Sequence, residues 1–592
     1  MSILCLPYEQ LAPDTLASTT VIRAGNYAVS IDVKVRIREL VCDTWTVTCI
    51  GEDGEYAFGE KGLAEFVDWL TGDTDYSQEW ASFQALAVIL YNEADETLHF
   101  WLPGNSYLSF FFARDRGYYF STRTNEIRSL VQGRLKPPDA SRFLLCYQFV
   151  PGTDTHLENI SKAGAGQIID FDMKGQQVAI RPKIETHTIS DEFSSENRIV
   201  DQLYTDFLAV LEQQTASFDR VGVLLGGFDS ALIISGLRQL GKDIKAYTFK
   251  YDNGKYNQAH IDDVTNRFRI EHEWIPINQD DYRDGLIDYA HLYDQPVTQP
   301  HYLIYTMKAM RKIKQDGFRL CLTGDGCDGV FFGYPTVYRK FRLLNALSRL
   351  PGFIYKGVGI FFKSTTLEKW IGHPYRMLRH ILQALSRKPE IVNFMTAAAI
   401  DPTTFNGLWN SSYNIQTLDD RIYGLWEKCG KPDPVRAAYL GKNMVGLNKA
   451  KLSSCFNETG VTLKTPFLHP LISQYAKMLS PEYWVSTKDR KVASGKYLLT
   501  KMAIEKSMLG EDIVYQKKMS PVSSPVDMWI KTPLNRELLQ IMTARDNSMN
   551  PSFLQSLLRE KLTEKLYKKY VTIDDYTSHV TGFLASYLSY RD

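Results

Sequence analysis

The sequence predicts an α/β chain in two parts, a β-rich sandwich over residues 1–185 and a doubly wound parallel sheet with a helical extension over 195–592. Three observations predict it. Short apolar or alternating runs broken by turn-like polar stretches fill the first 180 or so residues. The segment Glu185–Ser195, rich in Thr and Ser, ends that texture and reads as a linker. Beyond it, strand-length apolar runs alternate with helical periodicity, the pattern of an open parallel sheet that takes its ligands at the C-terminal ends of its strands.

In the first part, Leu86–Tyr91, Thr97–Leu102, Tyr107–Ala113 and Tyr118–Ser121 are the expected strands, and Gly166–Phe171 with Gln177–Ile180 forms a hairpin across Asp172–Gly175. In the second part, Asn197–Gln213 places Ile199, Leu203, Phe207, Val210 and Leu211 on one side of a helix. Val221–Leu225 is a buried strand leading through glycines into a helix that runs to Leu240. Ile244–Tyr251 and Leu320–Leu322 are two further strands, and from about Asn345 the chain is expected to be mostly helical and irregular.

Composition narrows the function. Apolar residues make up 44% of the 592, enough for a sizeable core, and Lys plus Arg equals Asp plus Glu at 68 each. That balance argues against a nucleic-acid binder, whose affinity comes from excess cationic side chains on phosphates. No apolar run approaches the length of a membrane span, and the start of the chain lacks the basic and apolar regions of a signal peptide. The eight cysteines are scattered, without a CxxC pair or zinc spacing. They read as reduced thiols of a cytoplasmic protein.

Two glycine-rich turns carry the chemistry. In Val221-Gly222-Val223-Leu224-Leu225-Gly226-Gly227-Phe228-Asp229-Ser230, a strand enters a glycine turn and then a helix. Gly226 and Gly227 let backbone N–H groups approach an anion, and the helix start favours phosphate. An aspartate beside phosphate calls for a Mg2+ between them. Without a ligand, Asp229 or Ser230 would serve as an ordinary N-cap. About a hundred residues later, Thr323-Gly324-Asp325-Gly326-Cys327-Asp328-Gly329 follows the apolar run ending at Leu322. Paired with Asp229, Asp328 would complete a site for a magnesium ion bridging phosphate oxygens.

The first turn resembles the SGGxDS pyrophosphate loop of the ATP pyrophosphatase fold, with Leu225 in place of the first serine. The second closely resembles the SGEGxDExFxGY motif of asparagine synthetases, with Gly329 in place of a glutamate. This resemblance implies ATP and Mg2+ as cofactors. It implies backbone contacts to adenine from Val223, Leu224, Leu225, Tyr247, Thr248 and Phe249. The phosphates fall to Gly226, Gly227, Phe228, Asp229, Ser230, Gly324 and Gly326, the metal to Asp229 and Asp328, and activation of the incoming amine to Asp325. Thr465-Pro466-Phe467-Leu468-His469 is similar to the family's VPFLD, with His469 expected as a surface or capping residue. Ile513–Met519 resembles the stretch around an active-site lysine, which puts Lys518 in the catalytic position with Lys517 beside it.

The first part looks like a class II glutamine amidotransferase (Ntn-type) domain, on Tyr118-Tyr119-Phe120-Ser121 with Glu126-Ile127 and on Val150-Pro151-Gly152-Thr153. Such domains use an N-terminal cysteine, thiol as nucleophile and α-amine as base. Here Met1 is followed by Ser2, and Cys5 would serve only after an unusual cleavage. The domain is therefore expected to be degenerate and the amine to come from elsewhere. Families that resemble asparagine synthetase without that cysteine include β-lactam synthetases and lasso-peptide cyclases. The expected activity is AMP-forming amide synthesis without glutamine, on a small-molecule or peptide substrate carrying a carboxylate and an amine. The favoured form is macrolactam closure, in the company of a partner protease or leader-peptide-binding protein. Free ammonia as the amine, or a non-catalytic binding module, are the alternatives.

Overall fold

The computed structural model describes residues 3–7, 19–24, 27–32, 37–50, 60–72, 87–103, 106, 108–131, 150, 152–164, 166–182, 195–252, 258–289, 292–297, 299–333, 448–478 and 495–516, with a few isolated positions besides. Strands β1 to β12 build two antiparallel six-stranded sheets. One contains β1 (Ile3–Pro7), β2 (Thr19–Ala24), β3 (Tyr27–Asp32), β8 (Phe110–Arg114), β9 (Tyr118–Ser121) and β10 (Ile160–Ala163), in the order β10-β8-β9-β1-β3-β2. The other contains β4 (Ile37–Cys42), β5 (Trp45–Ile50), β6 (Ala87–Asn92), β7 (Thr97–Trp101), β11 (Gln167–Asp172) and β12 (Gln177–Pro182), in the order β12-β11-β7-β6-β5-β4.

The sheets face each other across aromatic side chains. Phe100 stacks on Phe120 with ring centroids 4.5 Å apart and meets Phe110 edge-on at 5.3 Å. A helix covers each outer face: α1 (Glu60–Thr71) sets Phe66 and Leu70 against Val88, Leu90 and Trp101, and α2 (Thr124–Val131) sets Ile127 against Phe111 and Tyr119. Strand patterning made β6 to β9 and the β11–β12 hairpin legible in the sequence. It did not reveal β1 to β5 or β10.

The second part is one parallel sheet, β15-β14-β13-β16-β17. Its strands are β13 (Arg220–Leu224), β14 (Asp243–Tyr251), β15 (Glu271–Ile277), β16 (Leu320–Leu322) and β17 (Thr462–Lys464). Chain order turns outward in both directions from β13, so the switch point lies between β13 and β16, where a doubly wound sheet opens its ligand crevice. The helices are α3 (Glu196–Thr215), α4 (Phe228–Gln239), α5 (Gln258–Phe268), α6 (Gln279–Asp288), α7 (His301–Gln315), a short α8 (Cys327–Val330), α9 (Asn448–Thr459), α10 (Pro470–Met478), α11 (Tyr497–Glu505) and a short α12 (Glu511–Val514). Helix α4 is buried from Ser230 through Leu237, an apolar rod between the sheet and α3. Of the C-terminal region expected to be helical, the described parts are helical apart from β17. No described helix is long and apolar enough to cross a membrane. The expected linker lies outside the described residues except Ser195, whose side chain caps α3 by accepting from the Arg198 N–H.

The two parts touch at Asp294. Its carboxylate accepts from the Thr124 N–H (3.2 Å) and meets Arg123 Nε (3.3 Å), and its carbonyl accepts from the Thr124 hydroxyl (3.0 Å).

Within the sandwich, Asp170 ties three strands to a helix. His99 Nδ1 lies 2.6 Å from one oxygen and Arg181 Nε donates to the other at 2.7 Å, while Arg181 Nη2 reaches the Leu70 carbonyl at the end of α1. Burial would raise this carboxyl, but the contacts from His99 and Arg181 outweigh it and hold the pKa below its ordinary value. A depressed folded-state pKa contributes stability above the unfolded carboxyl range and loses it as the pH falls through the folded value. Asp170→Asn is expected to cost about 1–3 kcal/mol near neutrality. The gap to wild type should close below about pH 4, as read by urea denaturation at a series of pH values.

Candidate active site

The turn after β13 and the turn after β16 lie side by side at the switch point. A Cβ built on Gly324 would sit 2.7 Å from the Cβ of Asp229, so only glycine lets the second turn approach the first this closely. Their two acids then share one cation. Lys496 Nζ lies 2.5 Å from Asp229 Oδ1 and 2.6 Å from Asp328 Oδ1, which puts those carboxylate oxygens no more than about 5 Å apart. Asp229 and Asp328, expected together at one rim of the sheet, are together.

Lys496 was not singled out in the sequence. It stands just before α11 with φ of 57°, a left-handed conformation that costs a non-glycine residue about 1–3 kcal/mol and clusters at functional sites. Its N–H donates to the Phe331 carbonyl (2.9 Å), and its side chain is 8% exposed. Burial alone would push its pKa down; the charges of Asp229 and Asp328 more than reverse this and hold it well above that of an ordinary lysine. Gly333 completes the cradle, since a Cβ there would fall 1.8 Å from Asp328 Oδ1. Helix α11 is pinned to the start of α3, where Glu196 accepts from the Tyr497 hydroxyl (2.7 Å) and pairs with Lys501. The sequence offered one signal: a lysine opening a helix opposes the helix dipole and needs nearby acids.

The remaining expected residues take distinct places. Ser230 Oγ accepts from the Gly226 and Gly227 N–H groups (2.9 and 3.2 Å) and donates to the Gly227 carbonyl (2.9 Å), so the turn closes on its own hydroxyl. Beyond Gly226 and Gly227 the space is open, and the first N–H groups of α4, at Phe228, Asp229 and Ser230, have no carbonyl a turn earlier in the helix to meet. Leu225 packs into the apolar core, 2% exposed, and its carbonyl accepts from the Thr248 hydroxyl (2.7 Å) with a second lone pair left over. Val223 is inside the ladder between β14 and β16, and Leu224 ends it. Tyr247 turns away to Asp316 (2.8 Å), and Phe249 packs on Tyr305. Gly326, at φ 84°, opens α8.

Asp325 stands apart from the Lys496 group, its Oδ2 accepting from the Thr323 hydroxyl (2.9 Å) and paired with the buried Lys451. His469, expected at the surface or as a cap, is buried and accepts at Nδ1 from the Leu471 N–H (3.3 Å) at the start of α10. Lys517 and Lys518 lie outside the described residues.

Two acid-bearing turns at the switch point of a parallel sheet, with a helix start and open space beside the first, form the place where a doubly wound α/β fold takes its ligand. A family model described as asparagine synthase matches residues 205–579, and the chain belongs to the asparagine synthase family. Members are ATP-dependent ligases that form carbon–nitrogen bonds, typically with Mg2+. None of the curated proteins compared with the chain matches it.

The acid pair fits a magnesium ion. Two carboxylates from facing turns are hard oxygen donors, and Mg2+ is ordinarily held by one or two carboxylates with substrate phosphates rather than in an all-protein cage. Among the described residues no group of three or more His, Cys, Asp or Glu side chains forms such a cage. The net charge of Asp229, Asp328 and Lys496 is negative, so the cluster still attracts a cation. In Lys496→Met the two acids lose their shared partner, and the folded state should lose about 3–5 kcal/mol. Millimolar Mg2+ should then raise the melting temperature of the variant more than that of wild type, and equal shifts would sink the cation site.

In the sandwich, Cys5 lies in β1 between Val29 and Phe120 with no exposed surface. Burial pushes its thiol well above an ordinary cysteine, the opposite of an activated nucleophile. Iodoacetamide at pH 8 followed by peptide mass spectrometry should leave Cys5 unmodified in the native protein and modified after denaturation.

Proposed function

We propose that this chain adenylates a carboxylate and joins it to an amine without using glutamine, and that both groups belong to one peptide or natural-product substrate, so that the product is a macrolactam. The observation that carries the adenylation reading is the meeting of Asp229 and Asp328 on Lys496 beside the start of α4. The α4 N–H groups would hold the pyrophosphate end of ATP, and backbone groups at the ends of β13 and β14 would hold its base. The substrate carboxylate attacks the α-phosphorus, pyrophosphate leaves, and the amine then displaces AMP from the acyl carbon. Lys496 would stabilise charge on the α-phosphate and on the tetrahedral intermediate. Magnesium held by Asp229 and Asp328 would neutralise the pyrophosphate leaving group. Asp325 would receive the proton of the amine.

Independence from glutamine is supported by the sealed position of Cys5, and intramolecular closure by the resemblance to lasso-peptide cyclases. A peptide-presenting protein and a protease are the partners that reading implies. The loss of the family serine at Leu225 is compatible with turnover, because the leucine completes the core instead of leaving a gap in the turn. The test is ATP–pyrophosphate exchange with candidate carboxylates. Wild type should exchange label, and Asp229→Asn or Asp328→Asn should lower the rate by about 10²-fold or more. Absence of exchange with any carboxylate would favour a binding module, and full activity in either variant would remove the metal assignment.

A further inference from the structure

The family reaction has two halves, and the Lys496 group serves the first. The second needs a residue that takes a proton from the amine while the acyl adenylate waits. Asp325 is the acid available, and its surroundings are unusual. Its Oδ2 is held from two sides by Thr323 Oγ1 (2.9 Å) and Lys451 Nζ, and the Thr465 hydroxyl donates to its carbonyl (2.6 Å). Its other oxygen, Oδ1, meets no donor among the described residues. Lys451 comes from α9, a helix unconnected in sequence to either glycine turn, and its side chain is 6% exposed. Asp325 is its one ionic partner among the described residues. Burying a lysine this fully is costly unless it is paired. A purely structural pair would more economically be apolar, and this one stands on the turn after β16 with the acid 20% exposed.

We propose that Lys451 is the positioning residue of the amide-forming half-reaction: it fixes Oδ2 of Asp325 so that Oδ1 points at the incoming amine. The proposal rests on the amide-synthetase reading above and deepens it. In the step, the amine lone pair forms the new C–N bond to the acyl carbon. The C–O bond to AMP breaks with its electron pair leaving on the phosphate oxygen, and one N–H proton passes to Oδ1 of Asp325 and then to solvent. Lys451 touches neither substrate nor AMP, so its removal should leave carboxylate activation in place and disable capture by the amine.

The probes are L-aspartate with ammonium, and a synthetic linear peptide with a free α-amine and a side-chain carboxylate, each with ATP and Mg2+. The variants are Lys451→Met, Lys451→Arg and Asp325→Asn. Pyrophosphate exchange reads the first half-reaction and amide product the second. Lys451→Met should keep exchange within about threefold of wild type and lose about 10²-fold in amide formation, the range assigned to a positioned general base. Asp325→Asn should show the same split, and Lys451→Arg should recover part of the loss. Should Lys451→Met fail to fold, Lys451→Gln takes its place, with the same split expected and the same outcomes overturning the assignment. Equal losses in both half-reactions, or amide formation at the wild-type rate in Lys451→Met, would overturn the assignment. If wild type exchanges with neither probe, the ligase reading fails and this inference falls with it, an outcome distinct from an unsplit loss.

Discussion

A lysine ammonium held between two carboxylates is the interaction around which the C-terminal part is organised. Neither acid has a reason of its own to be where it is: the turns meet because Gly324 lacks the side chain that would strike Asp229. A charge removed from water needs close partners, and Lys496 finds them only because α11 is pinned to the beginning of α3 and because its own backbone accepts a left-handed conformation. The sheet order supplies the rest. Since β13 and β16 are neighbours while chain order runs away from both, the turns that follow them flank the switch point, where a doubly wound sheet takes its ligand.

Along one short turn, two acids have separate partners. Asp328 belongs to the Lys496 group and Asp325 to Lys451, so acids three positions apart face different cations from different helices. On the proposed reaction, phosphate and metal chemistry would be tuned at one lysine without disturbing the acid that receives the amine's proton. The buried Cys327 between them has its thiol pushed well up by burial and by the neighbouring Asp229. It contributes volume there and no third charge.

The strands that hold the site were readable because their composition is simple. Val221–Leu225, Ile244–Tyr251 and Leu320–Leu322 are apolar runs that stop at turns, and the structure keeps them nearly to the residue. Strand β15 has little signature because it is an edge strand, exposed or half-buried over its first four residues, and carries Pro276, which an edge tolerates. Strand β17 is three residues long and has no period to detect. The acids were legible because glycine and aspartate crowd together in sequence. Their lysines were not: Lys496 is 267 positions from Asp229, and a lysine at a helix start does not say which acids it will meet. Leu225 shows the reverse error of emphasis: read as a missing hydroxyl, it is in the structure a core residue whose backbone braces β14.

The contact at Asp294 ties the sandwich to the neighbourhood of α9. Asp294 holds the first residues of α2 from across the boundary, and two positions earlier the Leu292 carbonyl accepts from Ser454 (3.3 Å) on α9, one turn beyond Lys451. The sandwich thus leans on a segment that also meets α9, the helix that carries Lys451. A shift of the sandwich at this contact would therefore be passed through two hydrogen-bonded positions to α9.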